Sequence, residues 1–153
     1  MKIQEKISQD LKEALKAGDA SKVATLRMIV ASIKNKEIDK KGKGEEGALN
    51  DEETMEVIMK EAKKRKEAAD IYKQGGRNDL VEKEQKELDI INQYLPRQLS
   101  EEEIEKIIAN AIDKTGAASI KDMGKVMGEV SKETKGRADS RIISELIKKK
   151  LGI

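Results

Sequence analysis

Apolar residues in this chain recur in steps of three and four and almost never alternate, which commits it to amphipathic helices. Ile3, Ile7, Leu11, Ala14 and Leu15 form the first such series, and it stops at Gly18, a residue suited to the left-handed position after a helix. Ser21 is expected to cap a second helix with Val23, Leu26, Ile29 or Val30, Ile33 and Ile38 on its apolar face, the two helices packing as a hairpin. Asp39 to Leu49 holds three glycines and no periodic apolar residue, so it reads as a mobile loop. Asn50 and Glu53 then match a capping box that opens a long helix through Met55, Ile58, Met59, Ala62, Ala69 and Tyr72 to Gly75 and Gly76. A fourth helix is expected from about Asp79 through Leu80, Glu84, Leu88 and Ile91 to Tyr94.

The single proline, Pro96, pushes Leu95 out of helical geometry and marks the boundary between two domains, 1–95 and 96–153. Ser100 caps the restart, Glu103 completes its box and Leu99 staples to Ile104, so a fifth helix runs through Ile107, Ile108, Ala111 and Ile112 to Gly116. Two shorter helices follow. One spans about Ser119 to Lys135 with Met123, Val126, Met127 and Val130 inward; the last starts near Asp139 and carries Ile142, Ile143, Leu146, Ile147 and Leu151. The predicted fold is all-α, a four-helix N-terminal region plus a three-helix C-terminal domain. Gly18, Gly75, Gly76, Pro96, Gly116 and Gly136 interrupt every run before a coiled coil of about four heptads can build up.

Composition narrows the chemistry. The chain has no cysteine and no histidine. A thiol nucleophile, a disulfide framework, the usual zinc ligand sets and the Cys-His and Ser-His pairs are therefore absent. No catalytic residue, metal or cofactor is expected. The amphipathic start, without a signal-peptide apolar stretch or a membrane span, leads to the expectation of a cytoplasmic monomer. Net charge is +2, but from Lys114 onward ten basic residues face five acidic ones, a surplus of five that leaves the rest of the chain acidic.

Several charged clusters have ordinary explanations. The Gly-Lys-Gly of the 39–49 loop lacks the spacing and preceding strand of a phosphate loop. The acidic triplets at Asp51 to Glu53 and Glu101 to Glu103 sit in first helical turns, where carboxylates suit the helix dipole. The basic run Lys60, Lys63, Lys64, Arg65 and Lys66 surrounds its helix and has acidic neighbours, so it reads as solvated, with a phosphate-contacting face as the alternative.

The C-terminal third differs. Gly124 and Gly128 lie four apart inside a helix, and glycine there costs about 1 kcal/mol relative to alanine. Close packing on a neighbouring helix is the commoner reason for such a pair, and backbone approach to a ligand is the other. In Thr134-Lys135-Gly136-Arg137-Ala138-Asp139, Gly136 can supply a positive φ and Asp139 can cap the next helix. Lys135 and Arg137 have no such reason to be there. With Lys125, Lys132 and Arg141 they are candidate contacts to a nucleic-acid backbone, beside the free amides of a helix start.

At these residues the chain resembles the YqeY family, small bacterial proteins whose C-terminal half is similar to the tail domain of GatB, a subunit of the tRNA-dependent amidotransferase. The resemblance rests on Lys-Asn-Lys-Glu-Ile (34–38), Gly-Arg-Asn-Asp-Leu (76–80), Tyr-Leu-Pro-Arg-Gln-Leu-Ser (94–100), Lys-Asp-Met-Gly-Lys-Val-Met-Gly (121–128) and Lys-Gly-Arg-Ala-Asp (135–139). It spans nearly the whole chain; where GatB tails often have Asn, this chain has Asp139. It implies a GatB-tail-like domain that holds tRNA while other domains do the chemistry, a role also filled by a similar module in some glutaminyl-tRNA synthetases. Family members are often labelled carbon-nitrogen ligases with glutamine as amido-N-donor. That chemistry needs a glutaminase nucleophile and an ATP site, and this chain has neither a Cys-His pair nor a nucleotide loop. The expectation is a non-catalytic tRNA-binding accessory module, the alternative an adaptor docking on an aminoacyl-tRNA synthetase or amidotransferase.

Overall fold

The computed structural model describes residues 2–152, and among them every regular element is helical. The all-α expectation is borne out. The chain divides into two compact units, Met1–Leu95 and Pro96–Ile153.

The first unit holds α1 (Ile3–Ala17), α2 (Ala20–Gly42), α3 (Asp51–Gln74) and α4 (Asn78–Asn92), with the α3–α4 pairing the most extensive. Ile7, Leu26, Ile29, Ile58 and Ile91 are essentially inaccessible and form its centre, joined by Tyr94 from the turn after α4. Tyr94 donates its phenolic hydrogen to Asp10 Oδ2 at 2.6 Å, tying the end of α4 to α1. Leu15 and Ile38, assigned inward by spacing, are instead exposed.

Two boundaries differ from expectation for identifiable reasons. Asp19 caps α2 in place of Ser21, accepting from the Lys22 amide at 3.1 Å. Gly18 takes φ 70° and the Asp19 amide donates back to the Ala14 carbonyl, so one helix closes directly into the next. The 39–49 segment is largely ordered rather than a mobile loop. α2 continues to Gly42, Lys40 Nζ pairs with Glu53 at 2.9 Å and donates to the Ala48 carbonyl, and Leu49 is buried. The Asn50–Glu53 capping box forms as read.

The basic run on α3 also resolves. Arg65 is an internal residue whose side chain is only 12% exposed, 3.4 Å from Glu61, 3.0 Å from Glu87 and 3.7 Å from Glu84, with the Met28 sulfur accepting from its guanidinium. Lys64 pairs with Glu61, which also accepts from Ser32. Arg65 thus joins α2, α3 and α4 and is withdrawn as part of any phosphate-contacting face. Three carboxylates share this one guanidinium, and burial together with the neighbouring Glu87 pushes the Glu84 carboxyl above its ordinary range.

The second unit holds α5 (Glu101–Thr115), one 3-10 turn (Ile120–Asp122), α6 (Met123–Thr134) and α7 (Ser140–Lys150). Ile104, Ile108, Val126, Val130, Ile143 and Ile147 make its core, while Ile142, also carried by the last helix, is exposed. The start of α6 departs from the reading that began it at Ser119, because Asp122 turns back to accept from the Ala118 and Ser119 amides and closes a 3-10 turn first. Ser100 and Glu103 exchange the hydrogen bonds of a capping box, and Arg97 grips the same carboxylate with both terminal nitrogens.

Candidate nucleic-acid interface

The candidate site is built on α6. Val126 and Val130 point into the core and fix the helix orientation. Gly124 and Gly128 each lie two residues from a buried valine, and at about 100° per residue they must face the opposite way. Both are exposed, and a Cβ added at either meets nothing within 4 Å. The glycine pair therefore does not serve close packing inside the C-terminal unit, contrary to the commoner reading. Instead it leaves a strip of bare backbone in a shallow groove of about 380 Å³, bordered by Thr115, Lys125, Glu129 and Lys132.

Charge is arranged around that strip. Lys114 Nζ lies 3.1 Å from Glu129 Oε2 and Lys132 Nζ lies 2.9 Å from Glu129 Oε1, so two ammoniums meet one carboxylate on separate oxygens. Hydrogen bonds from Lys132 and then Lys114 hold the Glu129 carboxyl below its usual range. Lys125 is exposed on the same groove. Asp122, one turn earlier, is held low by the Ala118 and Ser119 amides, with Lys125 adding to the effect.

The turn after α6 is a separate construction. Gly136 adopts φ 75°, and Asp139 caps α7 by accepting from the Arg141 amide at 2.9 Å. The segment leading into α5 is stitched onto this turn. The Leu99 amide donates to the Arg137 carbonyl at 2.9 Å, and the Gln98 side-chain amide donates to the Gly136 carbonyl at 3.0 Å and to the Pro96 carbonyl at 2.9 Å. Arg137 adds long bonds from its guanidinium to the Arg97 carbonyl at 3.4 Å and the Glu133 carbonyl at 3.3 Å. Arg137 thus has a structural task that spacing did not reveal.

Of the five basic residues singled out, Lys125 and Lys132 share the groove, Lys135 and Arg137 stand on the following turn, and Arg141 is exposed in the first turn of α7. Lys114 and Glu129 were missed. Their meeting joins α5 to α6 across fifteen residues, beyond any local pattern, although the outward direction of the glycines was available from the two valines. Among the described residues there is no group of acidic side chains placed to hold a metal ion, and no helix is long and apolar enough to cross a membrane.

The architecture defines a helical protein with a basic surface groove on its C-terminal unit. A family model described as Yqey-like protein matches residues 4–151, and the chain belongs to the YqeY family. Among curated relatives, a protein of Eremothecium gossypii named Altered inheritance of mitochondria protein 41, mitochondrial, is 41% identical over 90 residues, covering 58% of this chain and 46% of that protein. The like-named protein of Lachancea thermotolerans is 37% identical over 109 residues, covering 69% and 56%. That of Pyrenophora tritici-repentis is 30% identical over 151 residues, covering 96% and 80%. The chain thus spans about half the length of the first two. These relatives are fungal proteins named as mitochondrial, which overturns the expectation of a bacterial, cytoplasmic protein.

Proposed function

We propose that this protein is a non-catalytic tRNA-binding accessory module, related through its C-terminal unit to the tail of the tRNA-dependent amidotransferase. The observation that carries the reading is the outward glycine pair. Glycine in the middle of an exposed helix is destabilising by about 1 kcal/mol, most of it here at Gly128, since Gly124 lies in the first turn of α6. With no packing partner to offset that cost, close approach of a ligand to the backbone is the remaining use. Lysines around the strip favour a polyanion held by charge and shape, and the near absence of aromatic residues disfavours base stacking. Lys125, Lys132, Lys135, Arg137 and Arg141 are the residues assigned to the RNA backbone. The ligase label is read as inherited from the larger complex. An anisotropy titration with bulk tRNA at low salt tests this, and binding no tighter than to an acidic polymer would sink it.

A docking adaptor is favoured by one observation. Ile120, 54% exposed in the 3-10 turn just before α6, presents a large apolar side chain to solvent four residues ahead of Gly124 in the chain. A pull-down from nuclease-treated lysate separates the readings, since association through RNA is lost and direct docking on a synthetase or amidotransferase persists.

A further inference from the structure

We infer that Glu129 is a built-in competitor for the phosphate that the α6 groove takes, and that RNA must displace it to reach Lys114 and Lys132. The inference rests on the polyanion-binding reading above and adds to it a named residue that limits affinity.

The geometry is specific. The two ammoniums converge on one carboxylate, each on its own oxygen, at 3.1 and 2.9 Å. A phosphodiester offers two non-bridging oxygens with a bite like that of a carboxylate, so it can take the same two partners. Both lysine side chains are about 70% exposed while Glu129 is 25% exposed, so the cations face the solvent and the anion sits beneath them in the groove. Of the charged residues bordering the groove, Lys125 is the one not held by this carboxylate. Exposed ion pairs are weak, which makes Glu129 a soft gate rather than a lock. An RNA that reaches several basic residues at once displaces it, whereas a single stray anion gains little.

The test is the full chain carrying Glu129→Gln, which keeps the size and a hydrogen-bond acceptor but removes the charge. Glu133→Gln serves as control, because it removes the same charge from the same helix without freeing these lysines. In anisotropy titrations with bulk tRNA, E129Q should bind about three- to tenfold more tightly at low salt, with the salt slope steeper by about one to two units as two more cations engage phosphate. E133Q should change affinity less than about twofold. Wild-type binding with E129Q unchanged or weaker would overturn the gate and leave the RNA reading standing, and an equal gain in E133Q would reduce the effect to bulk charge and overturn it too. Binding by E129Q alone would support the gate, and binding by neither protein would overturn both readings.

Discussion

Gln98 and Gly136 are joined by a 3.0 Å hydrogen bond from a side-chain amide to a turn carbonyl, and that bond fixes the turn that carries Lys135 and Arg137. The same amide also donates to the Pro96 carbonyl, so one side chain serves two backbone acceptors. Gln98→Ala should destabilise the protein by about 1 kcal/mol, with weaker tRNA binding as the turn loosens. Thermal melts followed by far-ultraviolet circular dichroism, alongside the tRNA titration, measure both.

Arg137 can be divided into charge and shape. Lysine in its place keeps the charge but cannot span the Arg97 and Glu133 carbonyls as the guanidinium does. R137K should cost about 0.5 kcal/mol of stability and weaken tRNA binding nearly as much as R137A. Wild-type affinity in R137K would show that charge alone matters at this position.

Gly128→Ala separates stability from function. Nothing obstructs a methyl group there, so the protein should gain about 1 kcal/mol, and the melting temperature of a unit this small should rise by about 4 to 8 °C. Affinity for tRNA should fall severalfold. A more stable variant that binds tRNA as well as wild type would mean that the ligand never approaches this stretch of backbone.

Acid should weaken the start of α5. The Arg97 guanidinium, with the Ser100 amide, holds the Glu103 carboxyl down to about 2. A lowered folded-state value contributes stability above the ordinary carboxylate range that is lost as pH falls through the folded-state value, here between about 4.5 and 2. Wild type should therefore lose stability over that window more steeply than E103Q, as read from melting temperatures at stepped pH.

The Arg65 cluster carries the opposite sign. The Glu84 carboxyl is raised, so the stability it contributes is present below the ordinary carboxylate range and is lost as pH rises through the raised value. At neutral pH the ionised carboxyl therefore opposes folding, and E84Q should be more stable than wild type. Arg65→Met strands all three carboxylates and should cost about 3 kcal/mol. Urea unfolding at pH 7 measures both.

Local chemistry carried much of the fold. The Asn50 and Ser100 caps, the left-handed Gly18, Gly116 and Gly136, and the inward valines of α6 are all matters of neighbours within one or two turns. What escaped depends on distant partners. Lys40 prolongs α2 into a segment with loop composition because Glu53, thirteen residues on, receives it. Arg65 looked like part of a solvated run because Glu84 and Glu87 belong to the next helix. Arg137 looked unassigned because its carbonyl partner in the 97–99 segment is forty residues away. Within the candidate site, the lysines on α6 were legible from composition, while Lys114 and Glu129 required α5 and α6 to be brought together.

The stretch between α2 and α3 has a practical consequence. It is held on one side by Lys40 and on the other by buried Leu49, whose carbonyl accepts from Gln4 on α1. Between those anchors Lys43 to Glu46 is exposed and carries none of the core. A cut there should leave two fragments that stay clasped through the N-terminal core, and a peptide tag or fluorophore can be spliced in without disturbing that core. The first unit thus has a natural insertion port, a place where the chain can be opened while its helices stay together.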